Sequence, residues 1–595
     1  MSKIKLSDYI AKRLKEVYKV EHFFMVSGGG AMHLNDSLGR CIEYTANHHE
    51  QACSIAAEGY SRVNQKLSVV NVTTGPGGLN CLNGVFGQWT DSVPVLYLSG
   101  QVKFSTTMGS CPEVPLRQLG DQEVDIISVV RPLTKYSHMI TEPKEIKYHI
   151  DKAIFEATTG RFGPVWLDIP MNVQAALIEE SELIDFIPPS AKVEIYDEKI
   201  EILKNKLKSA SRPIIVAGHG IRLSGMENEF LRLIEKSNIP IVTTFNGFDI
   251  LPSNHKNYVG RIGTIGQRAG NFALQNADLL ICLGTRNNIR QVSYNSENFA
   301  KNAYKVVVDI DKSELLKHTL TPDLSIQANL KEFLPLFSDV LGQTLVSEDW
   351  LLFCKNLEVK YSFKNTYEYS QSGDEINPYF FTRKLSELLS ENDILVMANG
   401  SACVCTFQTA EVKNGQRFIL NSGNASMGYA LPASIGACIH SPKRKIVCLE
   451  GDGSIMMNIQ ELQTIKHSNL PVKIFVINNS GYSSIRQTQK NFFNGHMTGS
   501  GDESGVSVPS FVKVADAFGI KSIRIEKASD LEPKITEVLN SEGPMLCEVM
   551  VQKEYSFVPK LSARKLEDGT MVSPSLEDMF PFLEREEYLE NLIND

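Results

Sequence analysis

The chain has 595 residues, 42% hydrophobic and 22% charged, with a formal net charge of −9, which allows three or four ordinary globular domains of about 150 residues each. The acidic balance offers no footprint for nucleic acid, no run approaches the roughly 20 apolar residues of a membrane span, and Met1-Ser2-Lys3-Ile4-Lys5 opens no apolar signal segment. Eleven cysteines are scattered, and Cys403-x-Cys405 lacks the second pair of a zinc site, so a reducing cytoplasm is the expected compartment.

Three segments follow in chain order. The first runs to about residue 185, with strands expected at Leu67–Val72 and Val93–Leu98 and across Gly163-Pro164-Val165-Trp166-Leu167-Asp168-Ile169-Pro170. Pro188-Pro189-Ser190 reads as a linker. The second segment opens on Pro213-Ile214-Ile215-Val216-Ala217, running into Gly218-His219-Gly220. It continues through Leu279–Leu283 into Gly284, and through Val306–Asp309. A polar stretch over 345–376 is expected to link it to a third segment that begins near Asn377-Pro378. The tail from about 560, charged and broken by Pro574 and Pro581, is expected to wrap over the surface. Alternation of strands and helices predicts an α/β protein of three doubly wound parallel-sheet domains, at 1–185, 186–365 and 366–595, with no short-period repeat.

The strongest local signal is Gly451-Asp452-Gly453-Ser454 after the apolar run Ile446-Val447-Cys448-Leu449, with Asn478-Asn479 after a second run, Val472–Ile477. Both polar groups then stand at carboxyl ends of parallel strands, where open α/β sheets bind ligands. Glycines let backbone approach a phosphate. A carboxylate and an amide oxygen are hard ligands suited to Mg²⁺.

The first segment adds Asn47-His48-His49-Glu50-Gln51-Ala52, Ala56-Ala57-Glu58-Gly59-Tyr60-Ser61-Arg62, and the Gly-rich turn Thr73-Thr74-Gly75-Pro76-Gly77-Gly78-Leu79-Asn80. Further on come Asp91–Val102, Gln275-Asn276-Ala277-Asp278 and Met427-Gly428-Tyr429-Ala430-Leu431-Pro432. In this order, the motifs resemble the thiamine diphosphate-dependent enzymes, most closely the acetolactate synthase large-subunit group, over nearly the whole chain. The resemblance implies a pyrimidine-binding domain, a central domain and a diphosphate-binding domain, with active sites shared in a homodimer or homotetramer. It implies catalytic roles for Glu50, which meets the aminopyrimidine, and for Gln122, near the substrate. It places Asp452, Asn479 and the Gly481 carbonyl on the metal, and Gly400, Ser401, Gly453 and Ser454 along the diphosphate. Met427 matches the apolar prop that keeps the two cofactor rings folded together, and Gly29, Gly30, Thr74, Pro76 and Asn80 complete the expected cofactor shell. The thiazolium ring then serves as the electron sink for decarboxylating a small 2-oxo acid.

FAD is a possible second cofactor, expected near Gly218, His219, Gly220, Gly284, Thr285, Arg286 and Asp309. The chain departs from the synthases at the acceptor side. Thr488 stands where a Trp is usual, Thr264 stands for a Met, and Asp121 for a Phe, while Arg286 matches. Losing two large walls makes the pattern resemble carboligases that add a two-carbon unit to a nucleotide-linked keto sugar in branched-sugar biosynthesis. The alternatives are acetolactate synthase proper, a 2-oxo acid decarboxylase or oxidase, and an inactive regulatory subunit. No His pair lies between 100 and 130, where decarboxylases of the superfamily would carry one. His48-His49 reads as loop structure.

Overall fold

The computed structural model describes residues 3–189, 197–342, 346–565, 568 and 570–593. Of the expected linker, Ser190 lies outside the described residues. Three six-stranded sheets organise the chain, and the pairings within them are all parallel. The N-terminal sheet holds β1 (His22–Met25), β2 (Glu43–Ala46), β3 (Ser68–Val72), β4 (Val95–Gln101), β5 (Tyr136–Met139) and β6 (Val165–Pro170), in spatial order β2-β1-β3-β4-β6-β5. The central sheet holds β7 (Pro213–Ala217), β8 (Ile241–Thr243), β9 (Tyr258–Arg261), β10 (Leu279–Leu283), β11 (Tyr304–Asp309) and β12 (Leu324–Gln327), ordered β9-β8-β7-β10-β11-β12. The C-terminal sheet holds β13 (Ile394–Met397), β14 (Arg417–Ile419), β15 (Ile446–Gly451), β16 (Lys473–Asn478), β17 (Lys521–Ile525) and β18 (Met545–Met550), ordered β14-β13-β15-β16-β18-β17.

The inner strands are buried on both faces. β3, β4, β10 and β16 have no exposed residue, which is why they read as apolar runs rather than alternating ones. Edge strands are harder to read: β2 is mostly exposed and β5 half-buried throughout.

The stretch at 345–376 is more than a linker. It contains a helix, Glu348–Lys360, capped by Ser347, whose Oγ accepts from Asp349 N at 3.1 Å. Trp350, Cys354 and Leu357, spaced i, i+4, i+7, form its buried stripe, and Trp350 Nε1 donates to Pro213 O at 2.9 Å. The tail is anchored rather than merely wrapped. Leu576 and Met579 are buried, and Asn271 Nδ2 donates to Leu576 O at 3.0 Å, tying the tail to the central unit.

The N- and C-terminal units meet through two helices, Glu50–Asn64 and Ala430–His440, each following the second strand of its own sheet. They cross at backbone distance. A Cβ on Gly436 would lie 1.8 Å from Ala56 O, and one on Gly59 2.0 Å from Ala433 O, so both positions demand glycine. Beside the crossing, buried Arg62 pairs with Glu58 at 2.8 Å and Asp91 at 2.6 Å, and Tyr429 Oη donates to Glu58 at 3.0 Å. Partnering of this kind is what a buried charge requires.

Candidate active site

β15 and β16 are neighbours with Gly451 opposite Ile477, so their carboxyl ends bring Asp452 and Asn479 side by side. Asp452 is buried, and Oδ2 accepts from the backbone N–H of Asn479 at 3.0 Å and of Gly481 at 2.9 Å. Oδ1 accepts from Gly453 N at 2.7 Å. Burial raises the carboxyl to about 6, against the pull of those three N–H groups. Asn479 Oδ1 is buried with no hydrogen-bond partner among the described residues, an orphan that needs explaining in a native fold. A hard cation between it and Asp452 would satisfy it. Next to this pair, Gly400 takes φ +69° and opens the helix Ser401–Thr409, with open space where its Cβ would stand. A helix start facing open space suits a phosphate. Gly428 N donates to Ser454 Oγ at 2.8 Å, which fixes the Met427 turn against the Asp452–Ser454 loop.

The N-terminal unit carries a second cluster. Glu50 begins its helix, and His49 Nδ1 accepts from Gln51 N at 3.0 Å, which makes His49 the helix cap. Glu50 Oε2 accepts from Asn80 Nδ2 at 2.9 Å. Pro76 occupies the first turn of the short helix Pro76–Asn80 after β3. Thr74 Oγ1 donates to Gly100 O at 3.1 Å, and Gly30 N donates to Thr73 Oγ1 at 3.1 Å. Gly29 faces open space. Gln122 has φ +61°, a strained conformation for a residue with a side chain. Its carbonyl packs where a Cβ on Gly75 would be, 1.9 Å away. Asn83, three residues past Asn80, donates to Ser426 Oγ at 2.7 Å beside Met427. No hydrogen bond among the described residues joins Glu50 directly to the Asp452–Asn479 pair.

The central unit contains a cleft of about 1130 Å³ including its mouth, at the carboxyl ends of its strands. The strand order reverses between β7 and β10, the switch point where such sheets bind dinucleotides. His219, Gly220, Gly284, Thr285, Arg286 and Asp309 line the cleft, while Gly218 packs against Gly284 O behind it. Both His219 ring nitrogens are buried and unpartnered, and burial drives its pKa well below the ordinary value. Asp309 is pushed up to about 6 by burial. Arg161 reaches in from the N-terminal unit, bonded to Asp311 and Glu314 at 2.8 Å each.

Family comparison matches three models in the same order. The thiamine pyrophosphate enzyme N-terminal binding domain covers residues 4–129, the central domain 200–336, and the C-terminal binding domain 398–549. The acetolactate synthase large subunit of Lactococcus lactis subsp. lactis (strain IL1403) is 32% identical over 95% of this chain and 96% of the relative. The isozyme 2 large subunit of Escherichia coli (strain K12) is 30% identical over 90% and 93%. Chloroplastic acetolactate synthase 1 of Zea mays is 29% identical over 91% and 85%. The chain belongs to the thiamine pyrophosphate enzyme family. It is an acetolactate synthase-like member, built from the family's three parallel-sheet units.

In this thiamine pyrophosphate enzyme the three expected acceptor-side residues come from separate segments of the chain. Arg286 faces the cleft and lies 3.5 Å from Asp91. Thr264 is tied through its backbone to Arg290 O and Leu561 N at 2.7 Å each. Thr488 lies exposed on the helix Ser483–Phe492, its Oγ1 donating to Ser484 O at 3.1 Å. No hydrogen bond or ion pair among the described residues joins the three.

Three further residues shape the site. Glu123 is buried, and its carboxylate accepts from Met108 N at 2.5 Å and from Leu119 N and Gly120 N at 3.0 Å, folding the loop that holds Gln122. Arg486 donates to Asn479 O at 2.8 Å, Ser480 O at 3.0 Å and Lys553 O at 3.1 Å. Tyr555 closes over Asn479 and Ser401. The only sequence signal for Glu123 was its place beside Gln122; Arg486 and Tyr555 had none.

Proposed function

We propose that the chain binds Mg²⁺ and thiamine diphosphate, decarboxylates pyruvate or a similarly small 2-oxo acid, and transfers the two-carbon unit to a carbonyl acceptor. The observation that carries this reading is the partnerless Asn479 Oδ1 beside the Asp452 carboxylate. Asp452, Asn479 and the Gly481 carbonyl would hold the metal. Gly400, Ser401, Gly453 and Ser454 would receive the diphosphate. Gly29, Gly30, Thr74, Pro76 and Asn80 would line the pyrimidine side, with Met427 as the apolar prop. Glu50, steadied by Asn80, would share a proton with the aminopyrimidine, and Gln122 would face the donor. When bound, the thiazolium ring supplies the electron sink that decarboxylation needs. The intact set of acid and metal groups argues against an inactive subunit.

Exposed apolar side chains follow the first cluster (Leu79, Phe86, Trp89) and the second (Met456, Met457). Such surface supports a self-interface, and with it a homodimer or homotetramer sharing its sites. We set the unit boundaries near residues 185 and 365. All eleven cysteines are free thiols, which favours the cytoplasm. The cleft at the β7/β10 switch point supports FAD, with the buried, partnerless His219 nitrogens awaiting a polar ligand; a flavin spectrum from purified protein tests this.

For the acceptor, Thr264 and Thr488 in place of large walls favour a molecule bulkier than pyruvate, with a nucleotide-linked keto sugar as leading candidate. The identity of 30–32% to bacterial acetolactate synthases favours the second reading, acetolactate formation itself. Mass spectrometry of products from pyruvate with aldehyde, oxo-acid and keto-sugar acceptors decides between them. Efficient acetolactate formation with no sugar adduct would sink the first.

A further inference from the structure

Tyr555 lies in the segment that leaves β18 and crosses the carboxyl ends of the C-terminal sheet. The segment is fastened by Gln552 N to Ile376 O at 3.0 Å and by Arg486 to Lys553 O at 3.1 Å. The Tyr555 ring packs edge-on against Phe557 at 5.9 Å. Its hydroxyl accepts from Asn479 Nδ2 at 3.0 Å and is hydrogen-bonded to Ser401 Oγ. Asn479 Nδ2 also reaches Ser401 Oγ at 3.4 Å. The amide nitrogen therefore has two acceptors, while Oδ1 on the other side has none.

An asparagine amide presents either an acceptor or two donors to a given point, depending on a half-turn of its plane. Turned over, Asn479 would aim its NH₂ hydrogens at the side where Oδ1 now stands partnerless among the described residues. Among the described residues the other partner of Nδ2 is Ser401 Oγ, which at 3.4 Å is the longer and weaker hold on the orientation. We propose that Tyr555 is a positioning residue, locking the Asn479 amide with its oxygen toward the metal. This rests on the reading of Asp452 and Asn479 as metal ligands. The same hydroxyl reaches Ser401 at the start of the expected diphosphate helix, so one side chain sets the geometry of both the metal and the phosphate sides.

Calorimetric titration of Mg²⁺ in the presence of thiamine diphosphate tests this, with the thermal midpoint of the metal-free protein measured alongside. Y555F is expected to weaken Mg²⁺ binding by about three- to tenfold, the range one neutral hydrogen bond covers, with little change in the metal-free midpoint. In the N479D background the same change is expected to cost at most about twofold, because either carboxylate oxygen can face the cation and no orientation has to be held. Equal weakening in both backgrounds would overturn the proposal. So would unchanged Mg²⁺ affinity in Y555F, with or without a lower metal-free midpoint. If the unaltered protein takes up no Mg²⁺ with thiamine diphosphate, the cofactor reading itself fails and takes this role with it. If it does and Y555F matches it, only the role of Tyr555 fails.

Discussion

The N- and C-terminal units are the same sheet used twice. Each places its first six strands in the order second, first, third, fourth, sixth, fifth, and each sends the helix after its second strand to the shared crossing. Yet equivalent places carry different groups. The helix after the second strand begins with Glu50 in one unit and is preceded by Met427-Gly428-Tyr429 in the other. After the third strand comes Thr73-Thr74-Gly75-Pro76 in one and Asp452-Gly453-Ser454 in the other. The fold supplies slots, and in the function proposed here the residues in them would decide whether a slot handles a proton or a cation. The central unit, wound in another order, opens its cleft at a switch point, with Asp309 at its lining.

The division of labour can be broken most directly at the two acids. D452A is expected to reduce affinity for Mg²⁺ and thiamine diphosphate beyond the roughly 100-fold that loss of an outer-shell partner costs, as read by calorimetry. E50Q should leave that affinity within about threefold but lower turnover by roughly 10²–10⁴, the scale of a lost proton-transfer group. Reversed results would mean the roles of the two units have been exchanged. G436A tests the crossing: its methyl meets a backbone carbonyl that cannot swing aside, so a loss toward the upper end of about 1–3 kcal/mol is expected, seen as a lower midpoint in thermal unfolding.

The smallest effect concerns a buried acid on matching strands. Glu548 on β18 is paired with Arg524 at 2.8 Å. Among the described residues Asp168 on β6 is held by Ser99 Oγ at 2.6 Å and Gln101 Nε2 at 3.1 Å without a cation, and burial raises its carboxyl from 3.8 to about 7. Its protonated form contributes stability that is complete below about pH 4 and lost as pH rises through about 7. D168N cannot ionise, so its stability relative to the unaltered protein should increase from pH 5 to pH 8 in chemical denaturation. A flat difference would place the ionisation elsewhere.

Much of this was legible beforehand for one reason: the inner strands are buried on both faces, so their apolar runs end where the ligand-facing turns begin. Asp452 and Asn479 could be set side by side from two such runs, and the residues lining the central cleft from three. Other features had no local signature. The edge strands β2 and β5 lack buried runs. The helix Glu348–Lys360 sits in a stretch that averages as polar although Trp350, Cys354 and Leu357 share a face. Glu123 and Arg486 act through backbone N–H and carbonyl groups, which no side-chain pattern announces. Tyr555 acquires its place only because the tail returns over β16. The acceptor side was the least legible, since Thr264, Arg286 and Thr488 come from separate segments that no hydrogen bond or ion pair among the described residues links.

The crossing of the two helices works as a hard stop. Where Gly59 and Gly436 meet carbonyl oxygens with no side chain between, the gap is set by atomic radii and not by whichever apolar residues happen to fill it. Glu50 and the Met427 turn hang from the two members of that joint. The crossing therefore fixes how the two units of one chain sit against each other, whatever apolar residues pack around it.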